Sequence, residues 1–291
     1  MHSEFILLRP KTFSEALRMT ADHAPDSKPL AGGTNVVVEL RNGKYRGKTL
    51  IDLSRLAELR GIKRQNGHVV IGGGTTLTDL LTHPLIAAHA SPLREAAAVF
   101  ASPLVRNRAT VAGNLVDASP AADTAPPLLA LGAEVELVGQ GDSRWVPLED
   151  FMVHVRKTLL QPGELMRSIR WSVPSSGSRG AYYKLGLRKA DAISVLSVAV
   201  MLDRDEKGGC AQARIALGAV GPRPLRVHQA ENVLRGQTLT PDVIAESARL
   251  AAEATSPITD IRGTAAYRKR VTEVIVRRLL ISIADSWEAA V

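Results

Sequence analysis

Residues 101–131 read Ala-Ser-Pro-Leu-Val-Arg-Asn-Arg-Ala-Thr-Val-Ala-Gly-Asn-Leu-Val-Asp-Ala-Ser-Pro-Ala-Ala-Asp-Thr-Ala-Pro-Pro-Leu-Leu-Ala-Leu. This segment has little apolar periodicity of its own, and most of its side chains are small. Small residues are typical of a backbone that comes close to something other than its own core. Residues 101–131 are therefore the first candidate for a ligand-binding segment.

Two features of this segment favour an anion as the ligand. The part from Thr110 to Asn114 ends in a Gly-Asn pair, where positive φ is inexpensive, so that backbone N–H groups can converge. Ser119 or Asp123 can then cap a helix that carries two prolines in its first turn and ends at Gly132. Amides beside a helix N-terminus are a favourable place for phosphate. A tight turn followed by a capped helix, without any ligand, explains the same residues.

A second glycine-containing turn lies upstream, where residues 29–36 read Pro-Leu-Ala-Gly-Gly-Thr-Asn-Val. Two adjacent glycines followed by Thr-Asn offer unhindered amides together with hydroxyl and amide donors. These groups are sufficient to hold a pyrophosphate without Lys or Arg. A third glycine cluster, Gly72–Gly74, is predicted to be a turn between a strand and a helix, and contact with a bound cofactor is the alternative.

Taken together, these motifs resemble the flavin subunit of molybdenum-containing hydroxylases. That family includes the medium subunits of carbon monoxide dehydrogenases and the flavin domain of xanthine dehydrogenase. The resemblance rests on Ala31–Asn35, Arg106–Asn114 and Ala118–Asp123. Thr259–Arg268 also resembles a segment of the family's C-terminal domain, so the resemblance covers nearly the whole chain. Ala112 stands where the family usually has glycine.

The resemblance implies an α+β protein with two domains. Residues 1–175 would form an FAD-binding domain of the p-cresol methylhydroxylase/vanillyl-alcohol oxidase type, with sub-domains at about 1–58 and 59–175. Residues 179–288 would form a C-terminal flavoprotein domain of antiparallel sheet and helices. The small, polar and aperiodic run at 175–178 favours a boundary there, and the apolar runs at 192–202 and 211–220 predict an antiparallel hairpin.

Several local elements follow from the residue pattern. A capping box at Thr12 predicts a helix, and Thr240 is predicted to cap another that runs to Ala254. Alternation at 133–138 predicts a half-exposed strand, whereas 146–151 is predicted to be an irregular connection. A last helix from about Gly263 is predicted to pack an apolar stripe into the core. That stripe contains Tyr267, Val271, Val274, Ile275, Arg278 and Ile281.

The resemblance also implies which residues hold FAD. Residues 29–36 should bind the pyrophosphate, Thr110, Gly113 and Asn114 the phosphate and ribityl side, and residues near Phe100 the ring system or the adenine. The predicted cofactor-binding residues are Pro29, Leu30, Ala31, Gly32, Gly33, Thr34, Asn35, Val36, Phe100, Ala101, Val105, Ala109, Thr110, Gly113, Asn114, Val116, Ala122, Asp123, Lys184 and Asp191.

Three of these residues keep a second interpretation. Asp123 would accept a hydrogen bond from the cofactor, or would serve only as a helix N-cap. Lys184 and Asp191 would approach the flavin from the second domain, or would form an ion pair on the surface of that domain. Covalent relatives carry a histidine where this chain has Thr34, so the resemblance implies non-covalent FAD.

Composition narrows the function further. The chain has 291 residues, 45% of them hydrophobic, and a net charge of +8, but its basic residues are scattered and only 4% are aromatic. This pattern does not favour a nucleic-acid partner. The single cysteine, Cys210, excludes an iron–sulfur cluster held by this chain alone. Neither a membrane-spanning run nor an export signal is apparent, which predicts a cytoplasmic protein.

No catalytic or metal-binding residue is predicted, because the histidines lack metal spacing and no nucleophile elbow occurs. The chemistry must then come from a cofactor. The resemblance implies electron transfer through FAD, from a large molybdenum–pterin subunit and a small subunit with two iron–sulfur clusters to NAD, oxygen or a quinone. Molybdopterin and the clusters belong to those partners. A free-standing FAD-dependent oxidoreductase and a scaffold subunit without flavin are the alternatives.

Overall fold

The computed structural model describes residues 5–45 and 47–289. Residues 1–4, where no export signal was predicted, lie outside the described residues, as do residue 46 and the last two residues. Within the described ranges, no helix combines the length and the apolar composition needed to cross a bilayer.

The first unit of the fold is a small parallel sheet with two helices. Thr12 caps the first helix by accepting a hydrogen bond from the Glu15 amide, which confirms the predicted helix start. The middle strand of the sheet is the last in sequence and pairs in parallel with both others. The elements are β1 (Ile6–Leu8), α1 (Phe13–Asp22), β2 (Ser27–Leu30), α2 (Val36–Arg41) and β3 (Thr49–Asp52).

The second unit is a five-stranded antiparallel sheet covered by short helices. Its elements are β4 (Ile62–Gln65), β5 (His68–Gly72), α3 (Leu77–Thr82), α4 (Pro84–His89), α5 (Ser91–Ala98), α6 (Pro103–Arg106), α7 (Val111–Val116), α8 (Ala125–Ala130), β6 (Glu134–Val138), β7 (Ser143–Pro147), α9 (Leu148–Phe151), β8 (Met152–His154), β9 (Lys157–Thr158) and β10 (Leu165–Ser172). The strand order is β4-β5-β10-β6-β7, with β8 and β9 paired separately. Fully buried side chains such as Trp171 and Phe151 form its core.

The third unit is an antiparallel sheet with helices. Its elements are β11 (Arg179–Gly186), β12 (Ser194–Arg204), β13 (Cys210–Gly218), β14 (Leu225–Arg226), α10 (His228–Leu234), α11 (Pro241–Glu253) and α12 (Ala265–Glu288). The strands pair in sequential order, and β12 with β13 forms the predicted hairpin. Thr240 caps α11 as predicted. The α+β architecture expected from the sequence is confirmed.

The sheet of the third unit is buried on both faces. Successive residues of a strand point to opposite sides. Val198 and Val200 of β12 therefore pack beneath α10, α11 and α12, whereas Ala199 and Met201 belong to the core of the second unit. The second and third units are thus joined by a continuous apolar core.

Two glycines allow this sheet to approach the helices of the second unit. A Cβ on Gly180 would lie 2.7 Å from Cγ of Pro92, at the start of α5, and a Cβ on Gly218 would lie 2.8 Å from Cγ of Pro126, in α8. Real Cβ atoms do not come so close to other carbons, so a larger residue at either position would push the two units apart.

Two predictions in the second unit were wrong in detail. The predicted strand at 133–138 is present as β6 (Glu134–Val138), but it is largely buried rather than half-exposed, and even Glu136 is inside. Its carboxylate accepts hydrogen bonds from Arg167 Nε (2.8 Å) and Ser168 Oγ (2.5 Å), and a paired carboxylate can occupy a buried position. Residues 146–151 are not irregular but belong to β7 and α9.

The predicted apolar stripe of α12 is only partly the core face. Ile275 is buried, but Tyr267, Val274 and Ile281 are 47%, 40% and 42% exposed. Polar residues take part of the buried face, which hydrophobic periodicity does not reveal. The buried residues are Arg268, Thr272, Ile275, Val276, Leu280, Ile283 and Trp287.

The buried thiol of Cys210 should be chemically silent in the folded protein. Cys210 begins β13 and is fully buried among apolar side chains. Burial, reinforced by the charges of Asp203 and Asp205, raises its pKa to about 12. Because the thiolate is the reactive form, DTNB at mildly alkaline pH should not react with the native chain but should react with one thiol per chain in guanidinium chloride. Rapid reaction of the native protein would contradict this packing.

Candidate flavin site

The first part of the site is the turn between β2 and α2. Gly33 in this turn has a φ of +78°, a conformation that favours glycine. The backbone N–H groups of residues 32–36 have no hydrogen-bond partner in the described part of the chain. Backbone donors that are shielded from water are normally paired. Residues 32–34 and 36 are partly buried and Asn35 is exposed, so this run of amides is accessible to an external acceptor.

Gly32 places this turn directly against the second motif. A Cβ at Gly32 would lie 1.9 Å from the carbonyl oxygen of Arg108 and 3.1 Å from Cα of Ala109. No side chain fits in that space, so the contact requires glycine. The two motifs, which are far apart in sequence, are therefore neighbours in the fold.

A small, open crevice lies where the two motifs meet. Ala31, Gly32 and Thr110 line it, as expected for predicted site residues. The predicted set omitted other residues of the wall. Two signals for them were visible in the sequence, namely the glycine cluster at 72–74, for which a turn was preferred to cofactor contact, and the second motif, which contains Asn107, Arg108 and Ala112. The residues missed are Leu53, Ser54, Leu56, Leu59, Arg60, Gly73, Gly74, Thr76, Asn107, Arg108, Ala112 and Met166.

The amides at the start of α7, in the second motif, are not free. Residues 111–116 form helix α7 with Thr110 as its N-cap, not the loop of positive φ that the Gly-Asn pair predicted. The Val111 amide donates to the Thr75 carbonyl (3.0 Å), and the Ala112 amide donates to the Gly73 carbonyl (3.1 Å). The Gly113 amide donates to Thr110 Oγ1. The second motif therefore forms a wall of the site, while the first turn offers the donors.

Asp123 is a buried acceptor and not a helix cap. Helix α8 begins after Thr124, and none of the side chains that the structure describes caps it. The carboxylate of Asp123 accepts hydrogen bonds from Lys184 Nζ (2.7 Å) and Ser194 Oγ (2.5 Å) and lies 3.5 Å from the hydroxyl oxygen of Tyr182. All three donors lie on β11 and β12, so Asp123 links the second unit to the third.

The pair formed by Asp123 and Lys184 is shielded from solvent. The side chains are only 9% and 5% exposed, and Lys184 Nζ also donates to the Val99 carbonyl at 3.3 Å. Burial and the nearby carboxylate raise the pKa of Tyr182 well above its ordinary value, so its hydroxyl stays a neutral donor. Removing one member of such a pair leaves an uncompensated buried charge, which is costly.

Asp191 is not brought to this cluster. It has a φ of +51° and a largely exposed side chain, 4.0 Å from the guanidinium of Arg188. Within the described ranges, no hydrogen bond or ion pair joins it to Lys184. The predicted alternative of a surface ion pair between Lys184 and Asp191 was therefore wrong, because Lys184 turns inward to Asp123.

Four other predicted residues contribute to the packing of the second unit. Asn114 Oδ1 accepts hydrogen bonds from the Thr124 amide (3.2 Å) and hydroxyl (2.6 Å), which ties α7 to the start of α8. Phe100, Val105 and Val116 are partly buried against the core of the second unit. These contacts hold the crevice and the buried ion pair in a fixed relation.

The donors and charges of this site fit FAD. A diphosphate is a strong acceptor, and the unpaired amides of residues 32–36 are donors on a turn that cannot carry a larger residue at Gly32. Thr34 in that turn has no nucleophilic nitrogen, which agrees with non-covalent binding. Asp123 and Lys184 add one acceptor and one cation from two different units.

Comparison with known protein families agrees with this geometry. Residues 3–175 match the family described as the FAD binding domain in molybdopterin dehydrogenase. The chain belongs to this flavoprotein family. Residues 181–283 match the CO dehydrogenase flavoprotein C-terminal domain. The predictions of an FAD cofactor, of an oxidoreductase, and of a flavin subunit of molybdenum hydroxylases are confirmed.

Individual relatives share the whole length of the chain. The carbon monoxide dehydrogenase medium chain of Afipia carboxidovorans is 33% identical over 270 residues, which cover 93% of each chain. The nicotinate dehydrogenase FAD-subunit of Eubacterium barkeri is 30% identical over 290 residues, 98% of each chain. A solved structure of carbon monoxide dehydrogenase from Hydrogenophaga pseudoflava has a TM-score of 0.94 at 32% identity and covers 99% of both chains.

The contact between Gly32 and Arg108 can be tested with a single methyl group. Gly32→Ala should force the turn away from the second motif, destabilise the fold by about 1–3 kcal/mol and weaken FAD binding at least about tenfold, the loss expected for one hydrogen bond to a charged group. Urea unfolding and fluorescence titration with FAD measure the two effects. Gly221→Ala is the control, because a Cβ there meets only ordinary contacts of 3.5 Å or more. Equal FAD affinity of both variants would show that the turn does not hold the cofactor.

Proposed function

We propose that this chain is the FAD-binding electron-transfer subunit of a molybdenum hydroxylase complex. We further propose that it holds dissociable FAD between the glycine turn of residues 31–36 and the pair formed by Asp123 and Lys184. When bound, FAD accepts electrons singly or as a pair, which suits a position between iron–sulfur clusters and a two-electron acceptor. The residues of this chain bind and orient it.

The unpaired amides of residues 32–36 are the observation that carries this proposal. They belong to a turn whose position is fixed by the close contact of Gly32 with Arg108. Arg60 and Arg108 are among the residues that line the same crevice. A diphosphate bound there would satisfy donors that are otherwise left without a partner.

Asp123 and Lys184 are proposed to orient the rest of the cofactor. Asp123 is held by Ser194 and Lys184, so its carboxylate keeps a fixed direction as an acceptor for a cofactor hydroxyl or N–H group. The ammonium of Lys184, whose charge Asp123 balances, places a buried N–H donor at the site. Since the two residues belong to different units, the site depends on how those units pack.

The partners follow from what this chain lacks. Its single cysteine, Cys210, is buried and cannot hold a cluster. We propose a small subunit with two iron–sulfur clusters as the electron donor, a large molybdenum–pterin subunit as the site of substrate oxidation, and NAD, oxygen or a quinone as the acceptor. A cytoplasmic location is part of the same proposal. The similarity to proteins named as chains or subunits of dehydrogenases supports the assembly.

A spectrum of the purified full-length chain tests the proposed cofactor. The chain should carry or take up one FAD per molecule, seen as visible flavin absorption, and acid should release all of it into the supernatant because Thr34 cannot form a covalent bond. A colourless protein that binds no added FAD would identify a scaffold subunit. Colour retained on the precipitated chain would contradict dissociable binding.

Co-purification tests the assembly separately from the cofactor. An affinity tag on this chain should recover molybdenum and iron in addition to flavin from its native host, because the metal-bearing subunits would be bound to it. Recovery of flavin alone, with redox activity on a small substrate, would indicate the free-standing oxidoreductase instead.

A mutant cycle separates the structural role of the buried ion pair from its role in binding. Lys184→Met should destabilise the protein by about 3–5 kcal/mol, because it leaves the Asp123 carboxylate without its cation. The double variant D123N/K184M removes both charges and should recover most of that stability, but should still bind FAD more weakly than the unmodified chain. Urea unfolding and FAD titration provide the two readouts. Wild-type affinity of the double variant would exclude a cofactor contact at this pair.

A further inference from the structure

Arg268 is a buried cation outside the residues proposed to touch FAD. It lies in the first turn of α12 and is only 2% exposed. Transferring a guanidinium from water to the protein interior is costly unless its donors are paired. The contacts made by this side chain therefore require an explanation beyond helix packing.

The guanidinium of Arg268 joins three separate segments. Nη1 donates to the carbonyl oxygens of Val195 and Ala219, each at 3.0 Å, and Nη2 donates to Asp260 Oδ1 at 2.5 Å. Asp260 also accepts hydrogen bonds from the amide and guanidinium of Arg262. The carboxylate thus orients Arg268, which leaves Nη1 directed at two backbone carbonyls at the ends of β12 and β13.

Both of those carbonyls belong to residues beside the flavin site. Val195 follows Ser194, whose hydroxyl donates to Asp123 at 2.5 Å. The Ala219 amide donates to the Pro120 carbonyl at 2.8 Å. Arg268 therefore holds the backbone behind two hydrogen bonds that fix the segment from Pro120 to Asp123.

Ala219 needs support from its neighbours. Its φ of +61° lies in the left-handed region, which is unfavourable for a residue with a Cβ. Its amide is held by Pro120 and its carbonyl by Arg268. Without the guanidinium, the peptide after Ala219 can rotate toward a relaxed conformation, and the hydrogen bond to Pro120 is weakened.

We infer that Arg268 is a positioning residue for the flavin site, acting across the boundary between the third and second units through Ser194 and Ala219 on Asp123. It does not touch the cofactor. It fixes the direction of the Asp123 carboxylate and hence of the pair with Lys184. This inference rests on the proposed binding of FAD near Asp123.

The test uses the full-length chain with FAD. Arg268→Met removes all donors and should raise the FAD dissociation constant at least about tenfold, the loss expected for one hydrogen bond to a charged group, and should shift the visible flavin spectrum and midpoint potential. Arg268→Lys keeps the charge and fewer donors and should restore part of the affinity. Arg277→Met removes an exposed arginine from the same helix and should leave all three readouts unchanged.

Ser194→Ala is a second variant, and it tests the same contact even if the Arg268→Met protein does not fold. It removes only the hydroxyl that reaches Asp123, so it should reproduce the spectral shift and weaker binding with little change in thermal stability. A lower melting temperature of Arg268→Met with an unchanged flavin spectrum, potential and affinity would overturn the inference and leave a structural role. If Arg268→Met does not fold, an unchanged flavin in Ser194→Ala and in Arg268→Lys would overturn it. Failure of the unmodified chain to bind FAD would instead refute the proposed function, and the inference with it.

Discussion

The site depends on the missing side chain at Gly32. The turn that carries the unpaired amides lies so close to the Arg108 carbonyl that not even a methyl group fits between them. That contact gives the glycine turn a fixed position. The segment behind the turn leads into helix α7, whose first amides already donate to the carbonyl oxygens of Thr75 and Gly73. One motif is rigid and the other is open, and binding of an anion requires both.

The site also depends on an ion pair whose two members come from different units. Asp123 comes from the helical layer of the second unit, and Lys184 from the sheet of the third, and both are shielded from water. Each would be an isolated buried charge without the other, so the correct docking of the sheet is coupled to the electrostatics of the site. Arg268 extends that coupling to the last helix through backbone carbonyls.

The sequence was sufficient for the features that are local. The turn around Gly32, the caps at Thr12 and Thr240 and the C-terminal hairpin were all predicted, because glycine pairs, capping residues and alternating apolar runs act on their immediate neighbours. It was not sufficient where the partner lies far along the chain. Asp123 precedes two prolines and therefore has the local pattern of an N-cap. Only the folded structure reveals that its carboxylate accepts hydrogen bonds from Lys184 and Ser194.

The contrast between local signals and tertiary contacts also explains the other differences between the predictions and the structure. The buried carboxylate of Glu136 and the buried guanidinium of Arg268 both break the apolar pattern of their elements, and in each case a distant group compensates the charge. Which residues line the crevice beyond the two motifs also depends on tertiary contacts, such as those of the glycine cluster at 72–74.

Gly180 and Gly218 set a limit on how such proteins can diverge or be recombined. Each glycine of the C-terminal sheet receives the ring of a proline that starts a helix in the flavin-binding part, Pro92 in one case and Pro126 in the other. Chimeras that exchange the C-terminal half between relatives would have to inherit both members of each glycine–proline pair. The unit of modular exchange is therefore the whole chain, even though its sheets are topologically separate.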